Sequence, residues 1–210
     1  LTIVGANAPS GLAMRPIRIL LCDEVDRYPA SAGAEGDPVN LAKKRTVTFW
    51  NRKMVMVSTP TIKGVSRIDA AWEESDKRRY WVPCPDCGEH QILRWEQVRW
   101  DKDATGKHLP ESAHYVCEQC GTLWKDAKRG GAIRLGEWRA EKPFAKIAGF
   151  HLNEIYSPWV KLEEMVRTFL SAKEHGEEAM KTFINTSLGE VFEIRGEAPE
   201  WERIYNRREE

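Results

Sequence analysis

The sequence predicts an α/β fold with two additions, a cysteine-bearing β arm and a mainly helical C-terminal segment. Two short apolar runs, Ile17–Cys22 and Met54–Val57, end abruptly in polar residues, as strands of a buried parallel sheet do. Four cysteines further along fall in two C-x-x-C-G pairs. In the last third of the chain, apolar residues recur at helical spacing. These observations divide the chain into predicted units at 1–82, 83–140 and 141–210.

The composition is that of a globular chain without a membrane segment. The chain has 210 residues, 41% of them hydrophobic and 30% charged, which argues against wholesale disorder. Its longest apolar run is too short to span a bilayer, and no secretion signal opens the sequence. We therefore expect a cytoplasmic protein that has no contact with a membrane. Because the first residue is leucine, we also expect a piece of a longer protein.

The net charge of zero conceals a gradient along the chain. Residues 1–82 hold 13 basic and 9 acidic side chains, whereas residues 141–210 hold 10 basic and 14 acidic ones. No segment is basic enough to indicate a static nucleic-acid binder, although a machine that holds nucleic acid transiently fits this balance. The basic runs at 43–45 and 52–53 are expected to be solvated, with contact to a DNA backbone as the alternative.

The first apolar run ends in Asp23 and Glu24, which predicts a carboxylate pair at the carboxyl edge of a parallel sheet. In nucleotide hydrolases of the P-loop class, the first acid of such a pair holds Mg²⁺ and the second orients the attacking water. Asp23 is therefore the candidate metal residue for Mg-ATP, and Glu24 is the candidate catalytic residue. The alternative is a strand that runs into an acidic surface turn.

The second apolar run ends in Ser58-Thr59-Pro60. In translocating ATPases, a small hydroxyl residue after the next strand can sense hydrolysis beside the γ-phosphate. Ser58 and Thr59 are therefore candidates for coupling hydrolysis to movement, with a plain strand-to-loop turn as the alternative. No G-x-x-x-x-G-K-[ST] loop occurs in the chain, so we expect it to bind ATP poorly by itself.

Helical patterns follow the second run and recur near the end of the chain. Val65, Ile68 and Trp72 form one apolar stripe, which predicts a helix over residues 63–82. Leu162 to Leu170 shows a strong amphipathic pattern that predicts a longer helix. The pattern repeats up to Gly189, which stands where a helix-ending glycine is expected.

The two C-x-x-C-G pairs predict a closed, structural Zn²⁺ site. Four thiolates suit tetrahedral zinc, and the two-residue gaps allow both sulfurs of each pair to reach one ion. The pairs are separated by 29 residues, which predicts a longer β arm whose tryptophans cover a small core. Reduced thiols without a ligand and a redox or iron–sulfur role are the alternatives. The predicted zinc ligands are Cys84, Cys87, Cys117 and Cys120.

Five ordered motifs resemble the large terminase subunit of lambda-type tailed bacteriophages, and they cover nearly the whole chain. They are the stretches Ile19–Pro29, Ser58–Ile68, Cys84–Gly88, Gly149–Trp159 and Phe183–Glu190. That family has an N-terminal ATPase domain, which drives DNA into the procapsid, and a C-terminal metal-dependent nuclease, which cuts concatemeric DNA.

The resemblance implies roles for the candidate residues. Asp23 and Glu24 match the family's Walker B pair, and Ser58-Thr59-Pro60 match its coupling motif. The resemblance implies that residues 1–82 are the C-terminal half of a P-loop ATPase core, that 83–140 are a zinc-ribbon-like insert and that 141–210 lead toward the nuclease. It places the Walker A loop before residue 1 and the nuclease after residue 210, so the chain alone is expected to be inactive. It further implies double-stranded viral DNA, the small terminase subunit and the procapsid portal as partners, and a homo-oligomeric motor in the bacterial host cytoplasm, encoded by a phage or prophage.

Two other functions are compatible with the same residues. Asp23-Glu24-Val25-Asp26 also matches a D-E-x-D box, which would indicate a helicase-like nucleic-acid translocase. The cysteine quartet alone would suit a non-enzymatic zinc-ribbon module that binds DNA or protein.

Overall fold

The computed structural model describes residues 1–193 and has a mixed α/β architecture with several small sheets. Residues 194–210, the end of the predicted helical segment, lie outside the described residues. The α-helices described are α1 (Pro9–Ala13), α2 (Pro38–Lys44), α3 (Arg67–Glu73), α4 (Asp126–Ile133), α5 (Leu162–His175) and α6 (Glu177–Phe183). The strands described are β1 (Ile19–Asp23), β2 (Lys53–Val57), β3 (Arg78–Pro83), β4 (His90–Ile92), β5 (Val98–Lys102), β6 (His108–Val116), β7 (Leu123–Trp124), β8 (Glu137–Ala140) and β9 (Phe150–His151).

The two apolar runs form a parallel pair, β1 and β2, so the prediction of parallel strands is confirmed. Asp23 lies opposite Val57, and both strands therefore end at the same carboxyl edge. The connection between them contains α2. This helix begins with Pro38 after Asp37, whose carboxylate accepts a hydrogen bond from the N–H of Asn40 at 2.9 Å.

The sequence indicates strands of a buried parallel sheet, but within the described residues β1 is covered on one face only. Side chains alternate between the two faces of a strand, and Cys22 on one face is only 4% exposed. On the other face, Leu21 is 66% exposed and Val57 is 55% exposed. Within the described residues, one side of the pair is therefore covered and the other is open.

The helix predicted over residues 63–82 is confirmed only for Arg67–Glu73. Ser66 begins α3 by accepting a hydrogen bond from the N–H of Asp69 at 3.1 Å. Val65 therefore lies before the helix and is 75% exposed. After α3 the chain enters strand β3. Three residues at helical spacing are too few to fix where a helix ends. The β-branched and aromatic residues that follow favour the strand instead.

Two further sheets form the cysteine-bearing part. β3 pairs antiparallel with β4 and β8 and parallel with β9, while β5, β6 and β7 form an antiparallel sheet. The β5–β6 hairpin is the predicted arm between the cysteine pairs. Asp103 shapes its turn, because its carboxylate accepts hydrogen bonds from the N–H groups of Thr105 at 2.8 Å and Lys107 at 3.0 Å. β3 crosses the unit boundary predicted at residue 82.

The β arm and the C-terminal helices share one hydrophobic core. Trp124 of β7 is fully buried, and so are Leu162 and Val166 of α5. The ring of Trp95 lies 5.2 Å from the ring of Phe169 and 5.1 Å from that of Phe183, measured between centroids. The arm therefore depends on α5 and α6 for part of its apolar burial.

The helical prediction for the C-terminal part is confirmed over α5 and α6, which follow each other directly. A π-helical turn, Ile184–Leu188, ends at Gly189, whose φ of 66° is left-handed as the helix-ending glycine predicts. α5, the longest described helix, has 14 residues, whereas a bilayer requires about 20 apolar ones. No helix in the described range 1–193 could cross a membrane.

Candidate functional site

The carboxyl edge of the β1–β2 sheet brings the predicted acidic and hydroxyl residues together. Asp23 ends β1 opposite Val57, which ends β2. Glu24 and Ser58 therefore leave the sheet at the same level. Asp23 and Glu24 are both exposed, so their carboxylates are accessible to a ligand.

Glu24 has an unusual backbone conformation. Its φ of 52° and ψ of 48° lie in the left-handed region, which costs an L-residue other than glycine about 1–2 kcal/mol. Lys77 and Lys146 are the other non-glycine residues of the described part that have positive φ. Backbone strain of this kind clusters at functional sites, so the conformation of Glu24 is consistent with a functional turn.

Hydrogen bonds join the two loops that leave the sheet. The N–H of Asp26 donates to Oγ of Ser58 at 3.2 Å, and the Ser58 hydroxyl donates to the carbonyl oxygen of Thr59 at 2.9 Å. The guanidinium of Arg27 donates to Oγ1 of Thr59 at 3.4 Å. A movement of the Ser58 loop would therefore stretch bonds to the turn that carries Glu24.

Asp26 also ties this edge to α3. Its carboxylate accepts hydrogen bonds from the hydroxyl of Thr61 at 3.0 Å and from the N–H of Ile68 at 2.8 Å. The first N–H groups of an α-helix have no partner within the helix. Asp26 therefore satisfies one of them and holds the start of α3 against the end of β1.

Arg67, the first residue of α3, organises the loop between β1 and α2. Its guanidinium donates to the carbonyl oxygens of Tyr28 and Pro29, each at 2.8 Å, and forms an ion pair with Asp37 at 2.9 Å. The sequence interpretation missed Asp26 and Arg67. The place of Asp26 in the acidic run was an available signal, but no local pattern marks Arg67, because its partners lie 30 or more positions away.

The four predicted zinc ligands converge on one point. All four sulfur atoms lie within 4.8 Å of one another. The Cys84 and Cys120 sulfurs are 3.7 Å apart, and those of Cys87 and Cys117 are 3.9 Å apart. For a zinc–sulfur distance of about 2.3 Å, the edge of a sulfur tetrahedron is about 3.8 Å. The quartet therefore has the donor chemistry and spacing to hold a metal ion.

Both pairs have the same backbone turn beneath the sulfurs. The N–H of Gly88 donates to the carbonyl oxygen of Cys84 at 2.9 Å, and Gly121 donates to that of Cys117 at 3.1 Å. These glycines have φ values of 77° and 71°, which L-residues with a side chain rarely adopt. Glycine at this position thus allows each turn to point two thiols inward.

Neighbouring side chains orient the sulfurs. The buried Gln91 donates from Nε2 to Sγ of Cys117 at 3.3 Å, and its Oε1 accepts from the N–H of Glu118 at 3.1 Å. Hydrogen bonds from the hydroxyl and backbone of Thr122 lower the pKa of Cys120 to about 6. The sequence interpretation missed Gln91 and Thr122. The available signal was that each is a polar residue a few positions after a cysteine pair.

Two family models match the chain. Residues 1–138 match the phage terminase large subunit gpA, ATPase domain, and residues 147–210 match the terminase large subunit gpA, endonuclease domain. The second match corrects the expectation that nuclease-related sequence begins only after residue 210. No solved structure matches the chain.

Two curated relatives are terminase large subunits. The one from Enterobacteria phage P21 is 28% identical over 90% of the chain, and the one from Escherichia phage lambda is 28% identical over 98% of the chain. The aligned regions cover 32% and 35% of these relatives, so the chain spans about a third of their length. Since the ATPase-domain model alone covers more than half of the residues, the chain belongs to the gpA family of phage terminase large subunits.

Proposed function

We propose that this chain is the part of an ATP-driven viral DNA-packaging motor that carries its catalytic carboxylates and its coupling loop. The observation that carries the proposal is the common carboxyl edge of β1 and β2, where Asp23 and Glu24 stand beside Ser58. Membership of the gpA family favours this function over a helicase-like translocase or a stand-alone zinc module.

The two carboxylates have different roles in the proposal. Asp23 would bind the Mg²⁺ of Mg-ATP. Solvent and the phosphates would supply the other ligands, because one exposed carboxylate does not make a metal site by itself. When bound, Mg²⁺ supplies charge neutralisation for the phosphates. Glu24 accepts a hydrogen bond from the attacking water and orients it. The G-x-x-x-x-G-K-[ST] motif is absent from the 210 residues, so we also propose that they do not hydrolyse ATP alone.

Coupling would pass through the hydrogen bonds between the two loops. A shift of Ser58 or Thr59 on hydrolysis would move Asp26, with which Ser58 shares a bond, and Asp26 holds the start of α3. A local change at the nucleotide would thus reach a helix as a rigid displacement.

The cysteine quartet would hold structural Zn²⁺, because four sulfurs leave no coordination position open for substrate. In the complete protein, we propose double-stranded viral DNA, the small terminase subunit, the portal and further copies of the same subunit as partners, together with cutting of concatemeric DNA. This activity would take place in the cytoplasm of the bacterial host.

The catalytic proposal is tested with a terminase large subunit that contains this segment. Glu24→Gln keeps the size of the side chain but removes its charge, so DNA-stimulated ATP hydrolysis should fall by at least about 100-fold while ATP binding is retained. Glu35→Gln, on an exposed loop, is the matched control and should leave turnover unchanged. Wild-type turnover in the Glu24→Gln variant would reject the role of Glu24.

A further inference from the structure

The amino edge of the β1–β2 sheet has the opposite charge to the edge that carries the candidate catalytic residues. Residues 1–22 hold two basic residues and residues 38–53 hold five, and neither range contains an acidic one. The seven residues, which we call the amino-edge patch, are Arg15, Arg18, Lys43, Lys44, Arg45, Arg52 and Lys53. The density of positive charge is hidden by the neutral composition of the whole chain.

The fold brings the two basic ranges together. The N–H of Lys53 donates to the carbonyl oxygen of Arg18 at 3.0 Å where the two strands begin. The N–H of Ile17 donates to the carbonyl oxygen of Arg45 at 2.9 Å, which joins the entry to β1 to the end of α2. Between these segments lies an open groove of about 390 Å³, whose lining includes Arg15, Lys44 and Arg45.

The charges of the patch are not neutralised within the described residues. Six of the seven basic residues are exposed, and Arg45 is half-buried. In the described part of the chain, no carboxylate forms an ion pair with any of them, whereas Arg67 and Arg78 nearby in sequence each have an acidic partner. An uncompensated cluster of this kind creates a positive field that attracts a polyanion.

An exposed aromatic ring lies in the turn between the two basic runs at 43–45 and 52–53. Trp50 is 95% exposed, at the tip of the turn between α2 and β2. The turn is closed by backbone hydrogen bonds from Phe49 to Thr46 at 3.2 Å and from Arg52 to Phe49 at 3.3 Å. An exposed indole between basic residues offers an apolar contact to sugars or bases beside the phosphates.

The patch is separate from the site proposed for ATP. It lies at the opposite end of β1. Four strand residues at about 3.3 Å each place that end about 13 Å from Asp23. The carboxyl edge carries Asp23, Glu24 and Asp26, which would repel a second polyanion. A nucleotide and a nucleic acid could therefore be held at the two ends of the same strands.

We propose that the amino-edge patch binds the phosphate backbone of duplex DNA and that Trp50 contacts the sugars or bases beside it. The inference rests on the proposed function for the choice of DNA and adds to it the surface that grips the substrate. Because β1 joins this surface to Glu24, a change at the nucleotide could reach the DNA through a single strand pair.

The test measures binding of the 210-residue chain to a fluorescent duplex without nucleotide, between about 50 and 200 mM salt. The Lys44→Glu/Arg52→Glu variant should bind at least about tenfold more weakly, and the slope of log K against log salt should become shallower by about 2. Trp50→Ala should weaken binding without changing the slope, because it removes no charge. Circular dichroism and zinc content establish that each variant is folded.

Lys102→Glu/Lys173→Glu is the matched control, since it makes the same change in net charge at exposed positions outside the patch. It should retain both wild-type affinity and wild-type slope. Equal losses of affinity in the two double variants, or unchanged binding in the patch variant, would overturn the proposal. An acidic protein would then be the alternative partner of the patch. Because no ATP is present, the result is independent of the Glu24→Gln measurement.

Discussion

Three acidic residues at the end of β1 differ in their surroundings although they lie within four positions. Asp23 and Glu24 are exposed, whereas Asp26 is half-buried and accepts hydrogen bonds from Thr61 and Ile68. A carboxylate that is saturated by protein donors stabilises structure, and an exposed one can meet a ligand. At the scale of single residues, this difference separates the candidate catalytic acids from the one that holds the loops.

Replacement of Asp26 tests this distinction. Asp26→Ala leaves the N–H of Ile68 and the hydroxyl of Thr61 without a protein partner, so the free energy of unfolding should fall by about 2 kcal/mol. Glu35→Ala, on an exposed loop, should change it by less than about 0.5 kcal/mol. Urea unfolding of both variants measures the difference, and equal stability would show that Asp26 does not anchor α3.

At the scale of elements, the two cysteine turns are small units whose geometry is set by short-range sequence. Gly88 and Gly121 supply the left-handed backbone, and each closes a hydrogen bond to the first cysteine of its pair. What joins the turns is the β5–β6 hairpin together with Gln91, which donates to Cys117 and accepts from Glu118. The geometry of the cysteine quartet therefore depends on residues between the pairs as well as on the pairs themselves.

The metal prediction is about one equivalent of Zn²⁺ per chain in freshly purified protein. Cys117→Ser removes one of four ligands and should lower zinc content by at least about tenfold after dialysis. Cys22→Ala is the control, because Cys22 is buried in β1 and lies outside the quartet, and its variant should retain zinc. Elemental analysis that detects no zinc in the wild-type chain would contradict the assignment.

At the scale of the whole molecule, the β arm and the C-terminal helices are one packing unit. Cys84 and Cys117 belong to the same buried cluster as Met165 of α5 and Phe183 of α6. The buried Arg129 of α4 adds a polar link, because its guanidinium donates to the carbonyl oxygen of Val160 at 2.7 Å. The β1–β2 sheet is outside this cluster. The segments on either side of the boundary between the two family matches, at 138 and 147, therefore share one core.

Removal of zinc should reveal this organisation. A chelator should increase hydrogen exchange in β3–β7 and also in α5 and α6, because loss of the cysteine cluster exposes the core that the helices cover. Protection in β1 and β2 should change less. Exchange measured by mass spectrometry resolves these segments, and unaltered protection of α5 after complete zinc loss would show that the arm and the helices are independent.

Several features could be predicted because they depend on neighbouring residues. The strand ends at Asp23 and Val57 and the left-handed Gly189 follow from local steric and hydrogen-bonding preferences. The extent of α3 could not be predicted in the same way. The predicted helix extended to residue 82, but the residues from Arg78 onward form β3, and the pairing partners β8 and β9 lie far along the chain.

The sequence by itself determined the parallel strand pair, the convergence of the four cysteines and membership of the terminase family, since each rests on short motifs in a specific order. Tertiary structure decided which carboxylates are exposed, that Asp26 and Arg67 tie the loops to α3, and that two separate basic ranges meet at the amino edge of the strands. The physical reason is distance along the chain. Contacts between residues 30 or more positions apart leave no local pattern, and only the packed chain brings them together.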